Sequence, residues 1–409
     1  MIDFTSLSAA LHKVIRPAIV AQMYARAPMW QLLGGWSAEK QAAERANVNV
    51  DRFENNKMYM PIRTSYHSGY AAVGVSQKYN YGQPNLAETY AGIKTLVSSF
   101  TIPKQVLNVT NVGAIIKPLK YYGDTMSRDL AMQGNRQVYQ DGSGKVATAA
   151  STGSGDKTVA LEPSTNGDIN YARYLPPGSV IQFEDGETAV VDKCTGKNEI
   201  VLTENTDWTA GDGVYLLTGE DTPTKVQEVD GFLSMIAGAG AYQALDPADD
   251  YSWAANVSEN AETLYRDTIV EKIHEQFFSA NSVGNVKWIV MNAKAFRTYG
   301  LSQEDKVRYA AKEVLSGGWK GLDYMQGNAQ ILLDYDCPDD TILGLTAEDL
   351  VFGEFQPLEF EKGTDGQLLK IAGKLDYEVT CSWMGNIGTV ARASHFALRN
   401  KTFDTGNSA

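Results

Sequence analysis

Hydrophobic and polar positions alternate with the period of a β-strand in two stretches near the start of the chain. Lys57 to Arg63 is a short extended run, and Thr89 to Ile102 is a longer one that is rich in β-branched residues. A polar span rich in glycine and tyrosine separates them, with a turn predicted at Gly82 to Asn85. The pattern predicts a two-stranded arm from Lys57 to Pro103.

The predicted arm has no apolar face large enough to form a core. A lone hairpin is marginally stable in water, and tyrosines outside any core pattern are typical of surfaces that meet another protein. We therefore expect neighbouring subunits to stabilise the arm. The residues predicted to contact them are Tyr66, Tyr70, Lys78, Tyr79 and Tyr81.

Residues 1–50 read as a second arm. Ser6 to Met23 has apolar residues at helical spacing, although Pro17 interrupts the run. Ala27 to Trp36 contains exposed-looking aromatic residues and a Gly-Gly stop. Trp30 and Trp36 are therefore predicted to contact a neighbouring subunit.

The best helix signal of the first half covers residues 117–140. Apolar residues follow the three-and-four spacing of one helix face at Leu119, Tyr122, Met126 and Leu130. Pro118 suits the first turn, and Asp141-Gly142 ends the helix. Such a helix would be roughly 35 Å long, which is unusual for a globular domain.

A linker of small residues, 142–155, comes next and is typical of a flexible domain boundary. Short strands with turn residues between them follow. They are Thr158–Leu161, Ser179–Phe183, Thr188–Asp192, Glu199–Thr203 and Gly213–Thr218. The spacing predicts an all-β insert, a small sandwich or barrel.

The pattern becomes mixed α/β from residue 227. Asn256 to Glu259 matches a capping box before a helix. Val286 to Met291 reads as a buried strand, with a helix starting at Ala293. Gln367 to Arg399 alternates well enough for two or three paired strands.

Charge is unevenly spread over the chain, whose formal net charge is −13. Residues 1–145 carry +7, residues 146–226 carry −8, and residues 227–409 carry −12. This asymmetry suggests different partners for the two ends. The basic part could face acidic subunits or nucleic acid, or it could pair with the acidic part within one fold.

The composition argues against membrane insertion and secretion. No run approaches the roughly 18 apolar residues of a membrane helix, and Met1-Ile-Asp-Phe4 lacks the basic start of a signal peptide. We expect a chain that stays inside the cell in which it is made. The cysteines are scattered and predicted to be free thiols: Cys194, Cys337 and Cys381.

No combination of residues points to catalysis. The histidines lie far apart without metal-type partners, at His12, His67, His274 and His395. Gly142 to Lys145 lacks the remaining residues of a phosphate loop. Asp334 to Asp340 lacks the spacing of a calcium loop and is predicted to be a solvated turn. We predict no enzyme activity, no cofactor and no metal site.

Four segments carry a resemblance to a known family. Lys94 to Gln105 is similar to the strand that returns from the family's extended loop, and Val229 to Leu233 to the turn where the chain enters the axial domain. Trp288 to Asn292 resembles an axial-domain strand, and Trp383 to Ser394 the closing strand. The chain resembles a major capsid protein of a tailed bacteriophage with the Hong Kong 97-like fold.

The resemblance implies an α+β fold with an all-β insertion domain. Its parts would be an N-terminal arm (1–50), an extended β-hairpin loop (51–104), a peripheral domain with a long spine helix (105–145), the insertion domain (146–226), an axial domain (227–350) and return strands of the peripheral domain (351–409).

The resemblance also implies a function. Copies would assemble into hexamers and pentamers of an icosahedral head around double-stranded DNA, which is packaged without sequence-specific binding. A separate scaffolding protein and a portal would take part, and a decoration or cement protein could bind outside. Assembly would occur in the host cytoplasm, and the product would be the virion.

Two other functions compete with this one. A nanocompartment shell of the same fold, encapsulin-like, would enclose an enzyme instead of DNA. A glycan-binding adhesin would use the β insert, with exposed Trp208 and Tyr215 stacking on sugars, although core or turn positions explain these residues equally well. A hydrolase with dispersed active-site residues is a more distant third reading.

Overall fold

The structure is a computed structural model of the 409-residue chain. It describes residues 27–33, 47–63, 86–103, 125–126, 128–217, 228–238, 240–249, 253–259, 269, 272, 286–304, 313–314, 320–324, 329–361, 369–370 and 376–403. The helix predicted from Ser6 to Met23 lies outside these residues. No helix among them is long and apolar enough to cross a membrane.

The helices of the described residues are few and mostly short. They are α1 (Pro28–Leu33), α2 (helical residues 125–126 and 128–138), α3 (Phe232–Met235) and α4 (Ala293–Glu304). Met126 and Leu130 of α2 are buried, as the predicted helix face requires. The predicted start of α2, at residue 117, lies outside the described residues. The helix predicted from Ala293 is confirmed by α4.

The predicted arm, together with the residues just before it, forms four strands. They are β1 (Arg52–Glu54), β2 (Lys57–Arg63), β3 (Leu86–Gly92) and β4 (Lys94–Pro103). The first three form an antiparallel sheet in chain order. The run from Thr89 to Ile102 is thus two strands rather than the single one predicted, because the chain changes partners at Ile93, whose N–H donates to the Asn56 carbonyl at 2.8 Å.

Six strands between residues 145 and 217 form a separate sheet. They are β5 (Lys145–Thr148), β6 (Gly153–Ala160), β7 (Val180–Phe183), β8 (Thr188–Gly196), β9 (Glu199–Trp208) and β10 (Gly213–Leu217), in the order β5-β10-β7-β8-β9-β6. Ala149 bridges Leu161, which joins the two outer strands and closes the sheet into a barrel. The predicted linker 142–155 therefore contains strand β5, because Val146 and Ala147 fill the barrel core.

A seven-stranded mixed sheet follows. Its strands are β11 (Asn256–Ser258), β12 (Trp288–Met291), β13 (Glu313–Val314), β14 (Lys320–Tyr324), β15 (Ala329–Leu333), β16 (Ile342–Leu345) and β20 (Phe396–Leu398). Asn256 pairs with Phe396 in a parallel ladder. The capping box predicted at Asn256 is therefore wrong, because Val257 and Ser258, which would begin the helix, lie in strand β11 and pair with β20.

The last sheet joins the C-terminal strands to the arm. Its strands are β17 (Leu350–Phe360), β18 (Leu369–Lys370) and β19 (Asp376–Thr389), with β17 and β18 on one side of β19 and β4 on the other. The largest buried cluster combines residues of this sheet with α1, α2, α3 and the seven-stranded sheet. The barrel has a separate core.

Candidate assembly surface

The base of the arm packs against its own chain. Met58, Met60 and Ala91 form a buried cluster with Val351 of β17. Gly353 of β17 allows this approach, because an added Cβ would lie 2.1 Å from the Met58 sulfur. The expectation that the arm cannot bury itself on its own core is wrong for its base.

Strand β4 is likewise part of the body of the chain. It pairs along its whole length with β19, from Lys94 opposite Gly385 to Pro103 opposite Asp376. Phe100 packs against the main core. This ten-residue ladder gives β4 the partner that a lone hairpin lacks, so no neighbouring subunit is needed to hold it.

The outer part of the arm starts where the hairpin ladder ends. Arg63 pairs with Leu86, so the chain leaves and re-enters the hairpin at one point. Residues 64–85 connect these two strand ends. The predicted contact residues of the arm all fall in this span and lie outside the described residues: Tyr66, Tyr70, Lys78, Tyr79 and Tyr81.

Trp30 is buried in its own chain. Helix α1 places its ring edge-on against Phe352 at 5.1 Å and Trp383 at 4.9 Å between ring centroids, and its side chain has no exposed surface. The expectation that Trp30 is exposed is wrong, because α1 turns this face into the main core. Trp36 lies outside the described residues.

Among the exposed apolar side chains of the described residues are one on β4 and one on β17 that the sequence reasoning missed. Val97 of β4 is 43% exposed, and Phe355 of β17 is 56% exposed with its ring against Phe53. Alternation along β17, which buries Phe352, was the signal that could have placed Phe355 outside. Single exposed apolar side chains are normal on a protein surface, so these positions do not by themselves indicate an interface.

Asn386 ties the arm to the body. Its side-chain Nδ2 donates to the Gly92 carbonyl at 2.6 Å and to Asp230 Oδ2 at 2.8 Å, and its Oδ1 accepts from the Asp230 N–H at 2.9 Å. Burial raises the pKa of Asp230, while nearby Lys94 and the Asn386 bond lower it. Asn386 is fully buried. Its hydrogen bonds fix the backbone at Gly92, where β3 ends just before β4 begins.

Two carboxylates of the acidic run are buried rather than solvated. Asp334 is 3% and Asp339 is 2% exposed. Asp334 accepts from the Tyr139 hydroxyl at 2.7 Å and from Asn135 Nδ2 at 3.0 Å. Burial, together with the nearby Asp336 carboxylate, raises the pKa of Asp334 to about 6. The predicted solvated turn is therefore wrong, because α2 and the barrel cover this loop with hydrogen-bond donors.

The barrel does not expose the aromatic residues that sugar binding would need. Trp208 is 3% and Tyr215 is 5% exposed. The Trp208 ring stacks on Phe183 inside the barrel at 5.5 Å. Both residues are packing residues of the barrel, which is the alternative to sugar binding that the sequence had left open.

The only histidine in the described part of the chain is structural. His395 is fully buried, and its Nδ1 accepts from the Thr346 N–H at 3.1 Å. Burial lowers its pKa to about 3, so the ring is neutral. The remaining three histidines lie outside the described residues. Within the described ranges, no group of three or more metal-binding side chains is close enough to hold an ion.

Comparison with solved structures gives the fold. The chain is similar to a chain of the cyanophage A-1(L) capsid asymmetric unit, with a TM-score of 0.51 and 10% identity over 92% of this chain and 93% of that one. The chain has the fold of tailed-phage major capsid proteins. No protein-family model and no curated protein matches it significantly.

More distant capsid and particle structures also align with the chain. The capsid of Myoviridae phage XM1 has a TM-score of 0.39 and 9% identity over 86% of this chain and 88% of that one. A virus-like particle from Pyrococcus furiosus has a TM-score of 0.39 and 9% identity over 94% of this chain and 97% of that one.

Proposed function

We propose that this chain is the structural major capsid protein of a tailed phage. It self-assembles into hexamers and pentamers of an icosahedral head that encloses double-stranded DNA, and it has no enzymatic role. The observation that carries the proposal is the similarity to the cyanophage capsid chain, which spans nearly all of both chains. The capsid-type fold therefore accounts for nearly the whole chain.

The arm supplies the proposed contact between subunits. Its base is fixed to the body by the Met58 cluster and by Asn386, while residues 64–85 start and end at the Arg63–Leu86 pair. A segment anchored in this way can lie over an adjacent subunit, and its tyrosines and Lys78 are the proposed contacts. Trp36 stays a proposed contact of the N-terminal arm, whereas the buried Trp30 does not.

The proposed parts of the fold keep their predicted boundaries, except that β4 belongs to the sheet of the C-terminal strands and β20 to the seven-stranded sheet. Helix α2 is the proposed spine helix of the peripheral domain, and the barrel is the proposed insertion domain. Residues 1–50 and 51–104 are the proposed arm and extended loop, and the axial domain and return strands follow from residue 227. The head is the proposed location, and a scaffolding protein, a portal and an outer decoration protein are the proposed partners.

Electron microscopy of the expressed chain tests the proposal. The chain is produced alone and together with a phage scaffolding protein, and both preparations are imaged by negative stain. Closed shells or hexamer–pentamer arrays support a capsid subunit. A compact monomer that persists at high protein concentration in both preparations contradicts it.

The contents of particles purified from the native host separate the capsid from a nanocompartment shell. A nanocompartment shell would enclose an enzyme instead of DNA. Mass spectrometry and nuclease digestion of native particles distinguish the two contents. The adhesin reading loses its basis, since Trp208 and Tyr215 are buried.

A further inference from the structure

The barrel meets the rest of the chain through polar groups. Its core is separate from the main core, and Met132 of α2 adds an apolar contact. A cavity of about 280 Å³ lies at the junction, with Arg136, Lys145, Glu162 and Asp340 among its lining residues. Polar contacts between separately packed units are the kind that allow relative motion.

The first docking point is the turn at residues 164–168 of the barrel. Asp339 Oδ2 accepts from Ser164 Oγ at 2.6 Å and from the backbone N–H groups of Asn166 at 3.1 Å and Asp168 at 3.0 Å. Asp339 is almost completely buried. A carboxylate with three donors makes strong, charge-assisted hydrogen bonds.

Asn166 extends this contact to two other segments of the body. Its Nδ2 donates to the carbonyls of Asp339 at 2.8 Å and Lys401 at 3.0 Å. Its own carbonyl accepts from Lys294 Nζ at 3.0 Å, and its Oδ1 accepts from the Phe403 N–H at 3.3 Å. One barrel residue thus holds the start of α4, the acidic loop and the end of the described chain.

The second docking point is Asp336. Its Oδ1 accepts from the Tyr174 hydroxyl at 2.6 Å and from the Arg173 guanidinium, both in the barrel. Its Oδ2 accepts from Asn135 Nδ2 of α2 at 2.7 Å. Gln133 Nε2 of α2 also donates to the Tyr174 carbonyl at 2.8 Å.

We propose that residues 334–340 are an intramolecular docking site that holds the barrel in one orientation and can release it while the barrel stays folded. Asp336 and Asp339 are the two positioning residues, since each accepts bonds from a different part of the barrel. The polar cavity gives water access to the junction, and on opening, water takes the place of the lost hydrogen-bond partners, so the net loss per bond is smaller than the bond itself. This inference does not depend on the assembly proposed above.

Hydrogen exchange of the full-length chain, followed by mass spectrometry, tests the docking site. The Asp339→Asn variant loses a charged acceptor, so peptides covering residues 164–168 should exchange about tenfold faster or more. Peptides covering Ile200 and Leu202 in the barrel core should keep their protection. The Asp336→Asn variant should accelerate exchange at residues 171–175 in the same way.

Asp156→Asn is the matched control, because Asp156 is an exposed carboxylate on β6; it should leave exchange unchanged at both docking points. Ser164→Ala is a milder change that can be used if Asp339→Asn fails to fold. It should accelerate exchange at residues 164–168 to a smaller extent. The proposal is overturned if both docking peptides keep wild-type rates, or if the barrel core accelerates together with them, since the barrel and body would then open as one unit.

Discussion

At the scale of single residues, buried polar side chains hold this fold together more than its sequence suggests. Asn386 and Asp334 are both buried and hydrogen-bonded to segments far away in the chain. An unmade bond to a buried polar group costs more than a made one contributes. Removing either side chain therefore tests how much these hydrogen bonds between distant elements stabilise the fold.

Asn386→Ala should destabilise the chain by about 2 kcal/mol, because it leaves the Gly92 carbonyl and the Asp230 N–H without their partner. Chemical denaturation measures the loss of unfolding free energy. Asn205→Ala, at an exposed position of β9, is the matched control and should change stability by less than about 0.5 kcal/mol. Equal effects of the two variants would show that Asn386 does not anchor the arm.

Asp334 should make the chain more stable as the pH falls from about 7 to about 4. The folded pKa of about 6 lies above the ordinary value of 3.8, so the folded state binds the proton more tightly than the unfolded state. The penalty for burying the charge is present above the folded pKa and is relieved as the pH falls through it.

Asp334→Asn lacks this titration, and it serves as the reference for the wild type. The unfolding free energy of the wild type minus that of the variant should rise by about 2 kcal/mol between pH 7.5 and pH 4.5. A flat difference between the wild type and Asp334→Asn would contradict the assigned titration.

At the scale of elements, local patterns predict strands well and their partners poorly. Strands predicted in the barrel region and at Val286 to Met291 are present, because an alternating pattern or a short, continuous apolar run reports burial directly. The division of Thr89 to Ile102 into β3 and β4 is not visible in that pattern, since it depends on β19, almost 300 residues later. Likewise, Asn256 follows a local capping rule, but its pairing with β20 overrides it.

Gly231 joins two elements in a way that only glycine permits. A Cβ added there would lie 2.2 Å from the Gln140 carbonyl oxygen and 2.6 Å from that of Gln137, just after α2. Gly231→Ala should therefore cost about 1–3 kcal/mol in thermal or chemical unfolding. Gly196→Ala, where the nearest atom is 3.7 Å away, is the control, and a similar cost at both sites would refute the close packing.

At the scale of the whole molecule, the candidate site is less visible from sequence than the fold. The order of arm, helix, β insert and α/β region indicates the capsid fold, which the cyanophage structure supports. The order of the elements does not predict whether a single aromatic side chain is exposed or buried. Trp30, Trp208 and Tyr215 are buried by residues distant in sequence, and Asp334 to Asp340 is covered by α2 and the barrel.

Replacing residues 64–85 with Asn-Gly should leave a folded monomer that does not assemble. The Arg63–Leu86 pair can be closed by a two-residue turn, and the packing of Met58 and Met60 below it remains. Circular dichroism checks the fold, and sedimentation velocity measures assembly. A chain with Tyr66, Tyr70, Tyr79 and Tyr81 changed to Ser keeps the full length and separates loop length from side-chain contacts.

The central claim is that the chain is a shell subunit whose loop 64–85 lies on its neighbour. Cryo-electron microscopy of assembled particles tests it most directly. The claim predicts icosahedral shells in which each pentamer and hexamer repeats this fold, with density for residues 64–85 on the adjacent subunit. Particles without this subunit lattice, or a loop folded back on its own chain in every subunit, would contradict it.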